Sequence, residues 1–217
     1  MKKTKIGVLG SGDVGQTLGG AFATLGHNVM MGSRDRKNEK ALGWANSTGE
    51  NASVGTFAQA AEFGELIVLA TLGTATEAIV RAAGAETFAG KTVIDATNPL
   101  TFSPNGPPGL SVGFDDSLGE RIQRLAPEAR VVKAFNTVGH TLMFQPQLPG
   151  GPPDMFLCGN DEDAKKSVSE ICREFGWGVI DLGGIEASRY LEPLCMAWVL
   201  HGIRSGSWTH AFKMLHS

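Results

Sequence analysis

Gly10, Gly12 and Gly15, set out as Gly10-Ser11-Gly12-Asp13-Val14-Gly15, have the spacing with which a main chain cradles a pyrophosphate. Gly10 allows the tight turn, Gly12 keeps a side chain out of the path of the phosphates, and Gly15 lets a helix pack close to a strand. Free N–H groups of the first helical turn then face the anion. The flanks suit this chemistry. The apolar run Ile6-Gly7-Val8-Leu9 precedes the turn, and the stripe Val14, Leu18, Phe22 and Leu25 follows it until Gly26 ends the helix. A second apolar run, Val29-Met30-Met31-Gly32, comes next. A site that reads a free ribose 2′-hydroxyl ends this strand in Asp or Glu, but here it ends in Gly32-Ser33-Arg34. Ser33 offers a hydroxyl, Arg34 a guanidinium fork, and Arg36 and Lys37 add positive charge, so the pattern favours NADP(H) over NAD(H). In the competing reading, residues 34–37 are a solvated helix start and Asp35 supplies the acid.

These residues need a frame, and the rest of the chain alternates as one. Strands are expected at residues 66–70, 91–95, 130–135, 155–158 and 178–181, and helices at 56–63, 74–83, 116–125 and 161–175. Repeated βα units imply a Rossmann-type, doubly wound α/β fold with a mostly parallel sheet, and ligands there lie beyond the carboxyl ends of the strands. The segments at those ends, 70–74, 96–100 and 134–140, hold small or neutral polar residues. Such groups suit a carboxamide and ribose, and a nicotinamide packed flat on a second ring. Two Pro/Gly-rich stretches leave from the same edge: 99–113, with Pro104, Pro107 and Pro108, and 145–153, with Pro146, Pro149, Pro152 and Pro153. They are expected to wall or cover the site.

Composition narrows the class. The 217 residues are 42% hydrophobic with a net charge of −3 and no basic stripe interleaved with aromatics, so nucleic acid is not an expected partner. Cys158, Cys172 and Cys195 show neither a disulfide framework nor metal-ligand spacing; no metal is expected, and a reducing cytoplasm is the expected location. Lys2, Lys3 and Lys5 precede too short an apolar run for a signal peptide, and the longest apolar run, residues 194–200, is too short to span a membrane. That run is apolar on every side if helical. With Gly202 and Gly206 behind it, and Trp208 and Phe212 extending its apolar face, it predicts a helical segment at 184–217 after a dinucleotide-binding domain at 1–183. Packing on the sheet and on a second copy as a homodimer would bury every side; the alternative is a monomer completing its own core.

Several segments together carry a resemblance: Gly10 to Gly15, Gly32-Ser33-Arg34-Asp35, residues 131–139, Cys158-Gly159-Asn160-Asp161, Asp181-Leu182-Gly183, and Ser188-Arg189-Tyr190-Leu191-Glu192. Over essentially its whole length the chain resembles the NADPH-dependent reductases of the deazaflavin coenzyme F420. It is similar, too, to the cytosolic domains of STEAP-type ferric reductases, which use NADPH to reduce a flavin. The resemblance implies NADP binding by Gly10, Ser11, Gly12, Asp13, Val14, Gly15, Ser33 and Arg34, with Thr71, Leu72, Thr97, Asn98, Pro99 and Asn136 beside the nicotinamide. It also implies a small-molecule electron acceptor: FAD, FMN or coenzyme F420. Deazaflavin-specific members carry a His where this chain has Asn136, and STEAP-type domains carry Asn.

Hydride transfer to a ketone or hydroxy acid normally needs a positioned proton donor. Lys133 lies inside a strand, His27 closes a helix and His140 sits in a loop four residues beyond Asn136, so His140 is the best of the three as an acid; the resemblance adds Asn136 as the other catalytic candidate. Direct transfer between stacked rings needs mainly proximity and exclusion of water, and a bulky residue at Gly139 is expected to block it. Two other readings stand beside an oxidoreductase: a non-catalytic NADP(H)-binding redox sensor, and a small-molecule dehydrogenase that would need the missing donor.

Overall fold

Short apolar runs become strands covered on both faces, and four of them form the middle of an eight-stranded sheet: β1 (Lys5–Leu9), β4 (Leu66–Leu69), β5 (Thr92–Asp95) and β8 (Arg130–Lys133). The computed structural model describes residues 3–103 and 106–215; Lys2, Pro104 and the last two residues of the tail lie outside them. The remaining strands are β2 (Asn28–Ser33), β3 (Ala52–Thr56), β9 (Asp154–Gly159) and β10 (Gly178–Asp181), in the order β3-β2-β1-β4-β5-β8-β9-β10. The chain leaves β1 toward one edge and returns as β4 on the other side of it, which puts the glycine turn at the point where winding reverses.

On one face, α1 (Asp13–Thr24), α2 (Glu39–Thr48) and α6 (Glu162–Glu174) bury Leu18, Phe22, Trp44, Val168 and Ile171 against Ile6, Val8 and Val132. On the other, α3 (Phe57–Phe63), α4 (Gly73–Ala83) and α5 (Leu118–Leu125) bury Ala60, Val80 and Ile122 against Leu9, Ile67 and Val93. This is the doubly wound, mostly parallel Rossmann-type sheet. Among the described residues no helix is long and apolar enough to cross a membrane. All three cysteines are free and buried.

The structure differs from the sequence reading in five places. β9 runs antiparallel to β8, with β10 parallel to β9; an apolar run carries no direction. Residues 34–37 are a loop rather than a helix start, because α2 begins later, where the Asn38 side chain accepts a hydrogen bond from the Ala41 N–H. The edge strand β3, rich in small and polar residues, gave no apolar signal. The stretch 99–113 holds a two-stranded antiparallel ribbon, β6 (Leu100–Thr101) with β7 (Gly109–Leu110). Finally, a helix over Ser188–Ser205, α7, stops at Gly206, whose φ is +69°. Trp208 and Phe212 therefore lie beyond the helix, and Trp208 folds back onto Trp198 with ring centroids 5.3 Å apart. The stretch 145–153 packs on the end of α6 and on this tail: Gln145 N–H donates to the Phe175 carbonyl and Lys213 Nζ to the Pro152 carbonyl.

Candidate functional site

Gly10 has φ +128°, and a Cβ there would stand 2.2 Å from the Ala70 carbonyl oxygen, so only glycine brings the end of β1 against the loop after β4. A Cβ on Gly15 would stand 2.0 Å from the Gly10 oxygen. Gly12 differs: nothing lies within 4 Å of where its Cβ would be. It precedes α1, and no side chain caps that helix, leaving its amino end open to an anion. Asp13 is exposed, Ser11 and Val14 are half-buried, and the Ser11 carbonyl accepts from Gln16 Nε2. At the end of β2, Arg34, Arg36 and Lys37 are exposed. Asp35 accepts from the Lys37 N–H at 2.9 Å. Ser33 is buried and its hydroxyl donates to the Asp35 carbonyl.

A second cluster forms where β4, β5 and β8 end. Thr71 and Thr76 share a hydrogen bond between hydroxyls, while Leu72 is exposed. α4 starts at Gly73, pressed so close to the loop after β5 that a Cβ would meet the Asn98 carbonyl. Asn98 is half-buried and Pro99 buried. Asn98 Nδ2 donates to the Asn136 carbonyl at 2.7 Å, and Asn136 Nδ2 donates to Asn98 Oδ1 and to the Leu191 carbonyl, both at 2.9 Å. Those two bonds fix the amide, and they leave Asn136 Oδ1 buried without a partner among the described residues. An unsatisfied buried acceptor costs about 1–3 kcal/mol. Just before it, buried Phe135 takes φ +64°, a left-handed conformation unusual for an aromatic residue that swings the chain into this cluster.

Behind the asparagines lies an ionic triad that the sequence reading did not find. Lys133 Nζ, fully buried, is 2.7 Å from Asp95 Oδ2 and 2.9 Å from Glu192 Oε1, and it donates to the Thr97 carbonyl at 2.9 Å. Burial works against the ammonium, but the two carboxylates outweigh it and hold the Lys133 pKa above its ordinary value. Glu192 also accepts the Leu118 and Gly119 N–H groups at the start of α5, both at 3.0 Å, which offsets the excess negative charge. Thr97 is turned inward, its hydroxyl donating to Asp95 Oδ1 at 2.6 Å, and so supports the site rather than lining it. The only signal in the sequence is retrospective: Asp95, Lys133 and Glu192 each stand in or beside an apolar segment.

The remaining candidates sit elsewhere. Lys133 is fully buried, with its Nζ engaged by Asp95, Glu192 and the Thr97 carbonyl. His140 borders a groove along α1 with Gln16, Thr17 and Gly20. His27 is buried, accepts the Thr4 N–H on Nδ1 at 3.2 Å, and has its pKa lowered by burial. A Cβ on Gly139 would stand 2.9 Å from the Trp198 ring, so a large residue there would displace α7 instead of filling a cleft. Among the described residues no group of three or more His, Cys, Asp or Glu is placed to hold a metal.

Comparison with known proteins follows this geometry. The family NADP oxidoreductase, coenzyme F420-dependent, matches residues 5–99. The chain is 31% identical over 208 residues to the F420-dependent NADP reductase of Methanothermobacter marburgensis, covering 88% of both chains. The crystal structure of a candidate F420-dependent NADP-reductase from Arthrobacter sp. FB24 superposes with a TM-score of 0.93 at 41% identity, over 98% of this chain and 100% of that one. Metalloreductase STEAP3 of Rattus norvegicus is 28% identical over 194 residues, which span 88% of this chain and only 36% of that protein. The Methanothermobacter marburgensis reductase, 31% identical and matched over 88% of its length, decides the matter: the chain belongs to the family of coenzyme F420-dependent NADP oxidoreductases.

Proposed function

We propose that the protein is an NADPH-dependent reductase that hands hydride to a planar ring acceptor of flavin or deazaflavin type. The observation carrying this reading is the Asn98–Asn136 pair, which leaves a buried acceptor atom, Asn136 Oδ1, unpartnered among the described residues at the carboxyl edge of the sheet. The residues fit NADP(H): the uncapped amino end of α1 and the space over Gly12 suit the pyrophosphate, exposed Arg34 suits a 2′-phosphate, and Asn136 Oδ1 suits the carboxamide N–H. The chemistry the cofactor would supply there is a hydride: NADPH would become NADP+, and the acceptor ring would gain the two electrons with the hydride and its remaining proton from solvent. Asn98 and Asn136 orient the ring and exclude water; no titratable side chain bonds to the pair among the described residues, which suits transfer between stacked rings rather than carbonyl reduction.

The test is loss of NADPH absorbance when the purified protein meets lumiflavin, FMN, FAD or coenzyme F420. Turnover with at least one supports the reading; NADPH binding without turnover on any ring acceptor overturns it in favour of a redox sensor. The same proposal pairs two copies through α7, whose Tyr190, Leu200 and Ile203 are 73%, 40% and 53% exposed. Sedimentation should report a dimer, and Ile203→Glu a monomer.

A further inference from the structure

Glu192 stands near the start of α7 with 2% of its surface exposed, and its carboxylate holds three groups from two other elements. Oε2 accepts the Leu118 N–H, while Oε1 accepts the Gly119 N–H and lies 2.9 Å from Lys133 Nζ. The start of α7 is pressed so close to the start of α5 that a Cβ on Gly119 would stand 2.4 Å from the Ser188 hydroxyl. Stability alone does not call for a carboxylate here, since replacing a buried ion pair by well-packed apolar side chains is often neutral or stabilising.

What the carboxylate adds is direction. Leu191 precedes it, and the Leu191 carbonyl accepts from Asn136 Nδ2 at 2.9 Å. On the other side Lys133 Nζ also donates to the carbonyl of Thr97, the neighbour of Asn98. The two asparagines then bond to each other, at 2.7 and 2.9 Å. Glu192, Lys133, Thr97 with Asn98, Asn136 and Leu191 thus close a circuit that fixes the plane of the Asn136 amide, and with it the direction of Oδ1. The helix does not hold that turn unaided. Pro193 lies inside α7 and lacks the N–H that would bond the Arg189 carbonyl, so the turn bearing Leu191 depends on side chains for its place.

We infer that Glu192 is a positioning residue for the nicotinamide end: by holding α7 against α5 and Lys133, it aims Asn136 Oδ1 at the carboxamide. The inference rests on the reading of that oxygen as the carboxamide's partner, and it brings a residue of the C-terminal helix into the machinery. Glu192 acts through Asn136.

Glu192→Gln tests this with the core's charge still balanced, because Lys133 and Asp95 remain as a pair. The new amide nitrogen must face either the Leu118 N–H or the Gly119 N–H with Lys133 Nζ, donor against donor, so the circuit opens. Calorimetric titration compares NADP+ with adenosine 2′,5′-bisphosphate, which carries the 2′-phosphate but no nicotinamide. The variant should bind NADP+ about fivefold more weakly and the bisphosphate within about twofold of the wild type, since one hydrogen bond is at stake. In an Asn136→Ala background the same substitution should change NADP+ affinity by less than about twofold, because residues acting through one contact do not add. Val199→Ala, a buried truncation on α7 outside the circuit, is the control: it should lower the melting temperature without separating the two ligands. With whichever of lumiflavin, FMN, FAD or coenzyme F420 the wild type reduces, Glu192→Gln should lower kcat more than about tenfold and move the acceptor KM less than about threefold. Glu192→Asp, which keeps the charge but not the reach, serves if the glutamine variant misfolds. Equal losses for NADP+ and the bisphosphate, or an effect that adds to that of Asn136→Ala, overturn the inference. A wild type that reduces none of those acceptors overturns the reductase reading alone, and the ratio of the two affinities still decides the role of Glu192.

Discussion

The two ends of the candidate site are built in opposite ways. The proposed phosphate end comes from one stretch of chain: β1, the glycine turn, the start of α1 and the loop after β2 all lie within residues 5–37, and what it offers an anion is mostly main-chain N–H groups. The ring end gathers Thr71, Asn98, Asn136 and Leu191 from four separate segments, uses side chains, and rests on the buried triad of Asp95, Lys133 and Glu192. A site made from local main chain survives changes in distant packing; one assembled from distant side chains is only as sound as the core beneath it. That contrast predicts which variants damage binding, which damage turnover and which damage the fold.

The largest effect is expected at the triad. Lys133→Met leaves two buried carboxylates facing each other, and losing one partner of a buried ionic set destabilises by about 3–5 kcal/mol. Urea unfolding would show it. If the variant is as stable as the wild type, the ring end does not depend on its ionic support and the contrast fails.

Next comes the phosphate end. Arg34→Ala should weaken NADPH by about ten- to a hundredfold and leave NADH nearly unchanged, because a charge-assisted bond to phosphate is worth about 1.5–3 kcal/mol. Calorimetric titration with both cofactors checks it, and equal losses for the two would remove Arg34 from the 2′-phosphate. Asn136→Ala should separate the ends further: kcat with a ring acceptor falls more than about tenfold while the Kd for NADPH rises only about fivefold, since one buried hydrogen-bond group contributes on the order of 1 kcal/mol. A Kd that rises as far as kcat falls would merge the two regions into one.

The smallest effect is in acid. Burial favours the neutral form of Asp116, but Arg124 and Arg121 more than offset it and bring its pKa from 3.8 down to about 2. A carboxyl lowered on folding adds stability that is present above its unfolded value and is lost as pH falls toward its folded one. The wild type should therefore lose stability between pH 3.8 and about 2 with a slope that Asp116→Asn lacks, as read by thermal unfolding across that window. Matching slopes would leave Asp116 no such role.

What the sequence determined by itself follows from interactions within a few turns of chain. The glycine spacing, the apolar runs of β1, β4, β5 and β8 and the stripe of α1 are short-range patterns, and their periods name strand, turn and helix without reference to anything distant. The glycine turn between β1 and α1 was legible for the same reason, and so was the missing acid after β2. Tertiary structure alone decided where Ser33 turns its hydroxyl, that β9 runs antiparallel, that Trp208 leaves the helix and folds back on it, and that Thr97 faces inward. It alone joined Lys133 to residues 38 positions before it and 59 after it, and gave the Asn136 amide nitrogen two partners while leaving its Oδ1 unmatched among the described residues. The physical reason is that a buried charge or amide is stable only where another segment satisfies it, and a linear pattern does not record which segment that will be.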